Sequence, residues 1–207
     1  WAPDLMHREG APEGNVIKMS FSEFYQKRIP EDSAILCRLN SPLIPLAFHL
    51  ANNGRKCYIQ GRAVGEEMAN LAKRWKWNNV NELEPKLANF LKRAHAQLMP
   101  DKINAYKNLV DKVDCLFSVI KHCKENRKTD REYFLDFFRN LFSDSGEGIV
   151  LGSVHSFKGK ERENIYIWGW EKLMPARWAT QEWEIESEKC LQFVAVTRAI
   201  NNLYLVS

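Results

Sequence analysis

The sequence predicts an α/β protein in which a parallel β-sheet is flanked by helices and interrupted by an all-helical insertion. Short β-rich runs alternate with helical patterns at the start of the chain, a long central stretch has helical periodicity, and apolar strand-like runs return near the end. Alternating strands and helices are typical of a parallel sheet. We therefore expect a split sheet domain at residues 1–65 and 146–207, and a helical insertion at residues 66–145.

The first sheet segment is predicted to form strand, helix and strand in succession. "NVIKM" and "SAILCRLN" are strand-like, and so is "KCYIQG". Between them, "PLIPLAFHLANNG" is predicted to be a helix that ends at Gly54 as a C-cap glycine. Its apolar residues at helical spacing are Leu43, Leu46, Ala47 and Leu50. Such a unit is the building block of a parallel sheet.

The central stretch is predicted to contain three to five helices and no strand. "LEPKLANFLKRAHAQL" and "NLVDKVDCLFSVIKHC" place apolar residues at 3.6-residue spacing, and "REYFLDFFRNLF" follows them. Strands return with "GIVLGSV" and "NIYIWGW", which are apolar throughout, as central parallel strands are. A last helix and the strand "LYLVS" then complete the predicted sheet.

One arginine interrupts the apolar pattern of the last helix. The predicted core-facing stripe contains Leu191, Val194, Ala195 and Arg198. A guanidinium stays charged and needs an anion when it is buried. Either the fold supplies a carboxylate, or a ligand supplies a phosphate.

Bulk composition narrows the class of protein. A hydrophobic content of 45% with 12% aromatics indicates a folded domain, and the net charge of +4 permits a polyanionic partner without requiring one. No apolar run reaches the roughly 18 residues that a membrane span needs. The five cysteines form no C-x-x-C pair, which favours reduced thiols in a cytoplasmic protein and predicts no metal site.

The loop "VHSFKGKE" follows a predicted strand, and ligands of open α/β sheets bind beyond the carboxyl ends of strands. In it, Lys158 is suited to meet a phosphate, Gly159 permits close backbone approach, and Glu161 is suited to accept from hydroxyls. His155 lies in the same loop. A polar turn between two strands is the alternative interpretation. The phosphate-binding pattern G-x-x-x-x-G-K-[ST] does not occur in these 207 residues.

Arg38 directly follows the strand "AILC" and is a second candidate for anion binding, or alternatively a rim salt bridge. We expect Arg38, the Lys158 loop and Arg198 to lie at or near the same edge of the sheet. In the insertion, "KRWKW" interleaves cations with Trp75 and Trp77, a composition suited to stacking on nucleic-acid bases. The basic run "KHCKENRKTDR" is suited to phosphates. Core tryptophans and a solvated charged face are the alternatives.

Three segments together resemble superfamily 1 DNA helicases of the UvrD/Rep/PcrA-like group. "AILCRLN", "SVHSFKGKE" and "EKCLQFVAVTRA" look like the fourth, fifth and sixth motifs of that family, in the same order, with a helical insertion between the first two. The resemblance extends from about residue 15 to the end of the chain. It implies the second of two RecA-like domains, with ATP held in the cleft between them.

The resemblance implies roles for individual residues. Arg198 corresponds to the arginine finger that reaches the γ-phosphate, and Arg38 corresponds to a second arginine near it. Glu161, Gly159 and Gly61 correspond to positions near the nucleotide. His155 and Lys158 correspond to positions that contact single-stranded DNA or couple it to the ATP site. Departures from the family pattern occur at Lys160, Cys190 and Ile200.

The family further implies ATP and Mg²⁺ as cofactors, DNA that is single-stranded or partly duplex as the partner, and 3′ to 5′ translocation. Because the chain lacks a P-loop and an acidic metal-binding box, we expect an N-terminal RecA-like domain of the same polypeptide to supply them. The chain alone is then expected to be inactive. The alternatives are a non-catalytic binding module and a helicase–nuclease relative with a nuclease domain after Ser207.

Overall fold

Strands and helices alternate along the chain in the computed structural model, which describes residues 13–99, 102–176 and 179–207. The strands are β1 (Asn15–Met19), β2 (Ser33–Cys37), β3 (Cys57–Gln60), β4 (Phe142–Ser143), β5 (Ile149–Ser153), β6 (Arg162–Trp168) and β7 (Ala199–Val206). The helices are α1 (Phe21–Gln26), α2 (Leu43–Asn52), α3 (Arg62–Ala72), α4 (Val80–Ala96), α5 (Ile103–Glu125), α6 (Arg131–Leu141) and α7 (Glu182–Val196).

The chain divides into two compact units. The first comprises the described parts of Trp1–Arg38, together with Asn53–Cys57 and Gly146–Ser207, and the second comprises Leu39–Asn52 and Tyr58–Ser145. The sequence-based division, with a sheet domain at 1–65 and 146–207 and an insertion at 66–145, stays a prediction. In the observed units, helix α2 and most of strand β3 group with the helices.

The first unit is built on parallel strands in the order β1, β7, β6, β2 and β5. Strand β2 is buried at every position, as its apolar sequence predicts for a strand covered on both faces. Helix α1 begins at Ser20, whose hydroxyl accepts from the Glu23 amide while the Glu23 carboxylate accepts from the Ser20 amide. The parallel α/β class predicted from the sequence is confirmed.

The second unit is mainly helical. Four helices lie between Arg62 and Leu141 in the part of the chain that the structure describes, in agreement with the prediction of three to five. Helix α6 begins at Asp130, whose carboxylate accepts from the Tyr133 amide at 2.8 Å. Gly54 has a φ of 68° two residues after α2 ends, so the predicted C-cap is confirmed.

One sequence-based expectation for the central stretch is wrong. The two-residue strand β4 lies within it and pairs in parallel with β3, Ile59 opposite Phe142 and Gln60 opposite Ser143. Two residues are too few to establish an alternating pattern, so periodicity could not reveal this strand. Phe142 is buried and stacks on Phe138 at 5.3 Å between ring centroids. The aromatic side chains of this stretch therefore pack in the core both before and after the end of α6.

Candidate nucleotide and DNA site

Arg38 follows strand β2 directly and is held by a carboxylate on helix α7. Its Nε donates to Glu188 Oε1 at 2.8 Å and to Oε2 at 3.1 Å. Its Nη2 lies 2.8 Å from Oε1, so the guanidinium presents one side to the carboxylate. Both side chains are mostly buried, which distinguishes the pair from a rim salt bridge.

Glu188 is a site residue that the sequence analysis missed. It is only 5% exposed, and its Oε2 also accepts from the Ala176 amide at 3.0 Å. Glu188 lies three residues before Leu191 and seven before Ala195, so it extends the predicted core-facing stripe by one turn. Continuing the stripe backwards from Leu191 would have revealed an acid on the buried face.

His155 lies in the turn after β5, near this ion pair. Its pKa is lowered by partial burial of the ring and by the Arg38 guanidinium, while the Glu188 carboxylate opposes the shift. The two charges therefore act on His155 in opposite directions. The structure brings together Arg38, His155 and Glu188 at the carboxyl ends of β2 and β5.

The loop after β5 is exposed at its outer end, although Val154 and Phe157 within it are buried. Its exposed residues include Lys158, Gly159 and Glu161. Gly159 has a φ of 81°, and a methyl group added there would meet nothing within 4 Å. An open glycine with left-handed backbone leaves room for a ligand to approach the chain, as the sequence predicted.

Arg198 lies just beyond helix α7, which ends at Val196. Its Nε donates to the Val194 carbonyl at 2.9 Å and its Nη2 donates to the Thr197 hydroxyl at 2.9 Å. A longer contact of 3.4 Å joins Nη1 to the Lys160 carbonyl. Among the described residues, no carboxylate lies within salt-bridge distance of Arg198, so they do not provide the first of the two alternatives, a carboxylate from the fold.

The expected stripe on this helix is only partly correct. Of its four predicted members, Ala195 alone is fully buried, while Leu191, Val194 and Arg198 are half-buried. The hydrophobic residues of α7 are spread around the helix, which is why the spacing of a few of them overstated how deeply the stripe is buried.

The expectation that all candidate residues share one sheet edge is wrong for Arg198. Arg162 pairs with Ala199 at the amino ends of β6 and β7, so Arg198, which precedes β7, lies at that end. Arg38 follows β2, and His155 follows β5, at the opposite ends of the strands. The physical reason is strand direction, because a residue that leads from a helix into a parallel strand enters at the amino edge.

Gly61 belongs to the second unit, at the start of helix α3. Its φ of 124° is one that residues with a side chain rarely adopt, and its amide donates to the Ser143 carbonyl at 3.2 Å. The glycine is thus required by the turn between β3 and α3. Its predicted place near a nucleotide stays a prediction.

The two tryptophans of "KRWKW" have different environments. Trp77 is 1% exposed, its Nε1 donates to the Ala72 carbonyl at 2.8 Å, and its ring packs edge-on against Phe134. A buried ring offers no face to a base, so the prediction that Trp77 stacks on nucleic acid is corrected: it is a core residue. Trp75 is half-buried and packs against Phe90 at 5.4 Å between ring centroids.

A groove in the second unit adjoins Trp75. Its volume is about 190 Å³. The lining residues are Trp75, Lys86, Asn89, Phe90 and Arg93. The groove combines two aromatic side chains with two cations and an amide, and no acidic residue lines it. This composition is suited to a base and its phosphates.

The basic run "KHCKENRKTDR" is largely engaged within the second unit. Lys124 pairs with Glu84, and Lys128 lies over the Tyr133 ring at 5.1 Å. Arg131 lies over the Trp77 ring at 5.4 Å. Because these internal contacts already engage Lys124, Lys128 and Arg131, these three cations are less available to bind phosphates.

In the described ranges, no three His, Cys, Asp or Glu side chains are grouped so as to hold a metal ion. No helix in those ranges has the length and apolar character required to cross a bilayer.

Comparison with known proteins gives the family. The chain is 29% identical over 112 residues to the ATP-dependent DNA helicase PcrA of Staphylococcus epidermidis, an alignment that covers 49% of this chain and 15% of that protein. It is 28% identical over 110 residues to PcrA of Staphylococcus aureus, covering 48% and 15%. A family model described as the UvrD-like helicase C-terminal domain matches residues 20–207. The parallel sheet and the helices beside it agree with a RecA-like fold, and the chain belongs to the UvrD-like helicase C-terminal domain family.

Proposed function

We propose that this chain is the second RecA-like motor domain of an ATP-dependent DNA helicase. The observation that supports this most is the family match over residues 20–207, within which the arginines and the glutamate of the three motifs are all present. The chain spans about 15% of the length of the PcrA proteins it matches, so activity belongs to a larger assembly. ATP and Mg²⁺ are the proposed cofactors, in the cytoplasm.

Arg198 is the proposed arginine finger. Its guanidinium contacts carbonyl and hydroxyl oxygens rather than a carboxylate, and such neutral acceptors are weaker partners than a phosphate. An arginine at the γ-phosphate stabilises charge that spreads over the transferring group. Arg38 was the second cation expected near the γ-phosphate. It lies at the carboxyl ends of the strands, six residues along β6 from the amino ends where Arg198 lies, so it is not proposed to meet the same phosphate as Arg198.

The other candidate site residues are proposed to contact either the nucleotide or the DNA. Glu161 and Gly159 are proposed to lie near the nucleotide sugar and phosphates, and their exposure in the loop after β5 permits this. Gly61 is proposed to lie near the nucleotide as well. His155 and Lys158 are proposed to couple DNA to the ATP site. The exposed loop links the carboxyl end of β5 to the amino end of β6, which suits a coupling role.

A first RecA-like domain is the proposed partner of this one. It would hold ATP on its P-loop and supply the acidic Mg²⁺ ligand, neither of which this sequence contains. Helix α7 exposes large apolar side chains, Trp183 at 63% and Ile185 at 39%. Exposed apolar side chains of this size are suited to a protein contact.

The proposed substrate is DNA that is single-stranded or partly duplex. The groove beside Trp75 is a proposed contact, because it offers a half-buried indole for stacking and two cations, Lys86 and Arg93, for phosphates. The cations at Lys121–Arg131 are a weaker candidate, since several have partners within the unit.

The proposal is tested by ATPase measurements on the complete protein and on residues 1–207 alone. The complete protein is expected to hydrolyse ATP, faster with single-stranded DNA, and the isolated chain is expected to show no hydrolysis because it lacks a phosphate-binding loop. Hydrolysis by the isolated chain would contradict the shared site. A complete protein that binds DNA without any ATPase activity would instead support a non-catalytic binding module.

A further inference from the structure

Arg198 and the loop after β5 meet at the amino ends of β6 and β7. Arg162 is paired with Ala199, and the Arg162 amide donates to the Arg198 carbonyl at 3.1 Å. Glu161 and Arg198 therefore immediately precede two paired residues of neighbouring strands. The Arg198 side chain reaches further into this loop, because its Nη1 lies 3.4 Å from the Lys160 carbonyl oxygen. Since Lys160 directly precedes Glu161, the guanidinium lies beside a segment that is proposed to approach the nucleotide.

The hydroxyl of Thr197 connects the end of helix α7 to this guanidinium. Thr197 Oγ1 lies 3.0 Å from the carbonyl oxygens of both Phe193 and Val194. Arg198 Nη2 donates to the same hydroxyl oxygen at 2.9 Å. A hydroxyl has one proton to donate and two lone pairs that accept. Since the proton is directed to a helix carbonyl, a lone pair is directed to Arg198, and the helix fixes the direction in which Thr197 accepts.

A second contact on the same edge of the guanidinium completes its orientation. Nε of Arg198 donates to the Val194 carbonyl at 2.9 Å, so Nε and Nη2 both face the end of α7. The carbonyl end of a helix carries partial negative charge, which favours a cation there. A planar guanidinium that is held along one edge has a fixed orientation. Nη1 then faces the Lys160 carbonyl over a distance longer than that of a good hydrogen bond, so a phosphate oxygen, which is a stronger acceptor, can replace that contact.

We propose that Thr197 is a positioning residue, whose hydroxyl holds the Arg198 guanidinium with Nη1 directed towards the γ-phosphate. This inference rests on the proposed function of Arg198. Donors that are oriented in advance stabilise developing charge without reorganisation during the reaction. Without the hydroxyl, only the Nε contact remains on that edge and the guanidinium can turn about it. Misplacing such a group by about 1 Å costs on the order of 10²-fold in rate. A hydroxyl that only caps α7 would stabilise the fold without affecting turnover through Arg198.

The test is a pair of substitutions in the complete protein, with kcat and KM of the DNA-stimulated ATPase as the readout. Thr197→Val replaces the hydroxyl by a methyl group of similar shape, whereas Thr197→Ser keeps the hydroxyl. We expect Thr197→Val to lower kcat roughly 10- to 100-fold, with the KM for ATP changed less than about 3-fold. We expect Thr197→Ser to keep kcat within about 3-fold of wild type. Ser118→Ala is the matched control, because the Ser118 hydroxyl also donates to the carbonyl four residues before it, within helix α5.

The decisive comparison is with Arg198→Ala. If Thr197 acts through Arg198, the double variant Thr197→Val with Arg198→Ala has a kcat within about 3-fold of Arg198→Ala alone. Three results would overturn the positioning role only: multiplied losses in the double variant, equal losses in Thr197→Ser and Thr197→Val, or wild-type turnover in Thr197→Val when Arg198→Ala is impaired. Wild-type turnover in Arg198→Ala would overturn the proposed function of Arg198, and this inference with it.

Folding is checked in parallel by thermal melting. If Thr197→Val lowers Tm by more than the Ser118→Ala control does, Thr197→Ala replaces it, since alanine also lacks the hydroxyl and is the residue that helices tolerate best. We expect the same fall in kcat, which again disappears once Arg198 is alanine. Wild-type kcat in a folded Thr197→Ala protein would contradict the proposal.

Discussion

Trp75 and Trp77 are two residues apart and have different environments. Trp77 is buried and its indole is hydrogen-bonded to a backbone carbonyl, whereas Trp75 is half-buried beside a cationic groove. Sequence composition treats both as candidates for base stacking. The difference arises because the chain turns between α3 and α4, so one ring enters the core while the other stays at its surface.

This contrast gives a paired prediction. Trp77→Ala should destabilise the protein by about 3–5 kcal/mol, because it leaves a large cavity and an unpaired carbonyl. Trp75→Ala should cost much less stability but weaken binding to single-stranded DNA by about 1–3 kcal/mol, the contribution of one stacked base. Urea denaturation measures the first effect and fluorescence anisotropy with labelled DNA the second. Equal loss of stability in both variants would contradict the assignment.

At the scale of elements, the turn into strand β5 depends on one glycine. Gly148 has a φ of 88°, and a Cβ there would lie 2.1 Å from the Lys56 carbonyl oxygen. That oxygen is fixed, since it accepts from the Ile149 amide at 2.9 Å. The backbone therefore cannot move aside without losing the hydrogen bond that starts the strand.

A matched pair of glycine variants tests this turn. Gly148→Ala combines left-handed strain with a backbone collision and should cost more than about 3 kcal/mol in free energy of unfolding. Gly159→Ala has a similar φ but open space around the added methyl, so it should cost only about 1–2 kcal/mol. Urea denaturation of both variants is the measurement. A Gly148→Ala protein as stable as Gly159→Ala would show that the turn relaxes freely.

The elements show what the sequence could and could not predict. Long periodic helices such as α5 and apolar strands such as β2 were predictable, because their patterns repeat over several turns or pleats. The buried pair of Arg38 and Glu188 was not, since the partners are 150 residues apart in the chain. The position of Arg198 at the amino edge follows from strand direction, because Arg198 precedes the strand β7, whereas helical spacing alone carries no information on this.

At the scale of the whole molecule, family membership and local geometry give complementary information. The family match accounts for nearly the whole chain, but the matched relatives extend far beyond it. The fold supplies two arginines with different surroundings, one held by a buried carboxylate and one that contacts neutral oxygens. The buried carboxylate already supplies an anion to the first, whereas in the proposed motor the second finds its anion in ATP.

The central claim is that Arg198 acts on the phosphoryl group during hydrolysis. Its most direct test is kcat of the DNA-stimulated ATPase of the complete protein, wild type against Arg198→Ala, with ATP affinity measured separately. Arg139→Ala is the control, because this arginine is exposed and pairs with Asp136, three residues away on the same helix. We expect Arg198→Ala to lower kcat by roughly 10³-fold while ATP still binds. Unchanged turnover would contradict it and leave Arg198 as a structural cation at the end of α7.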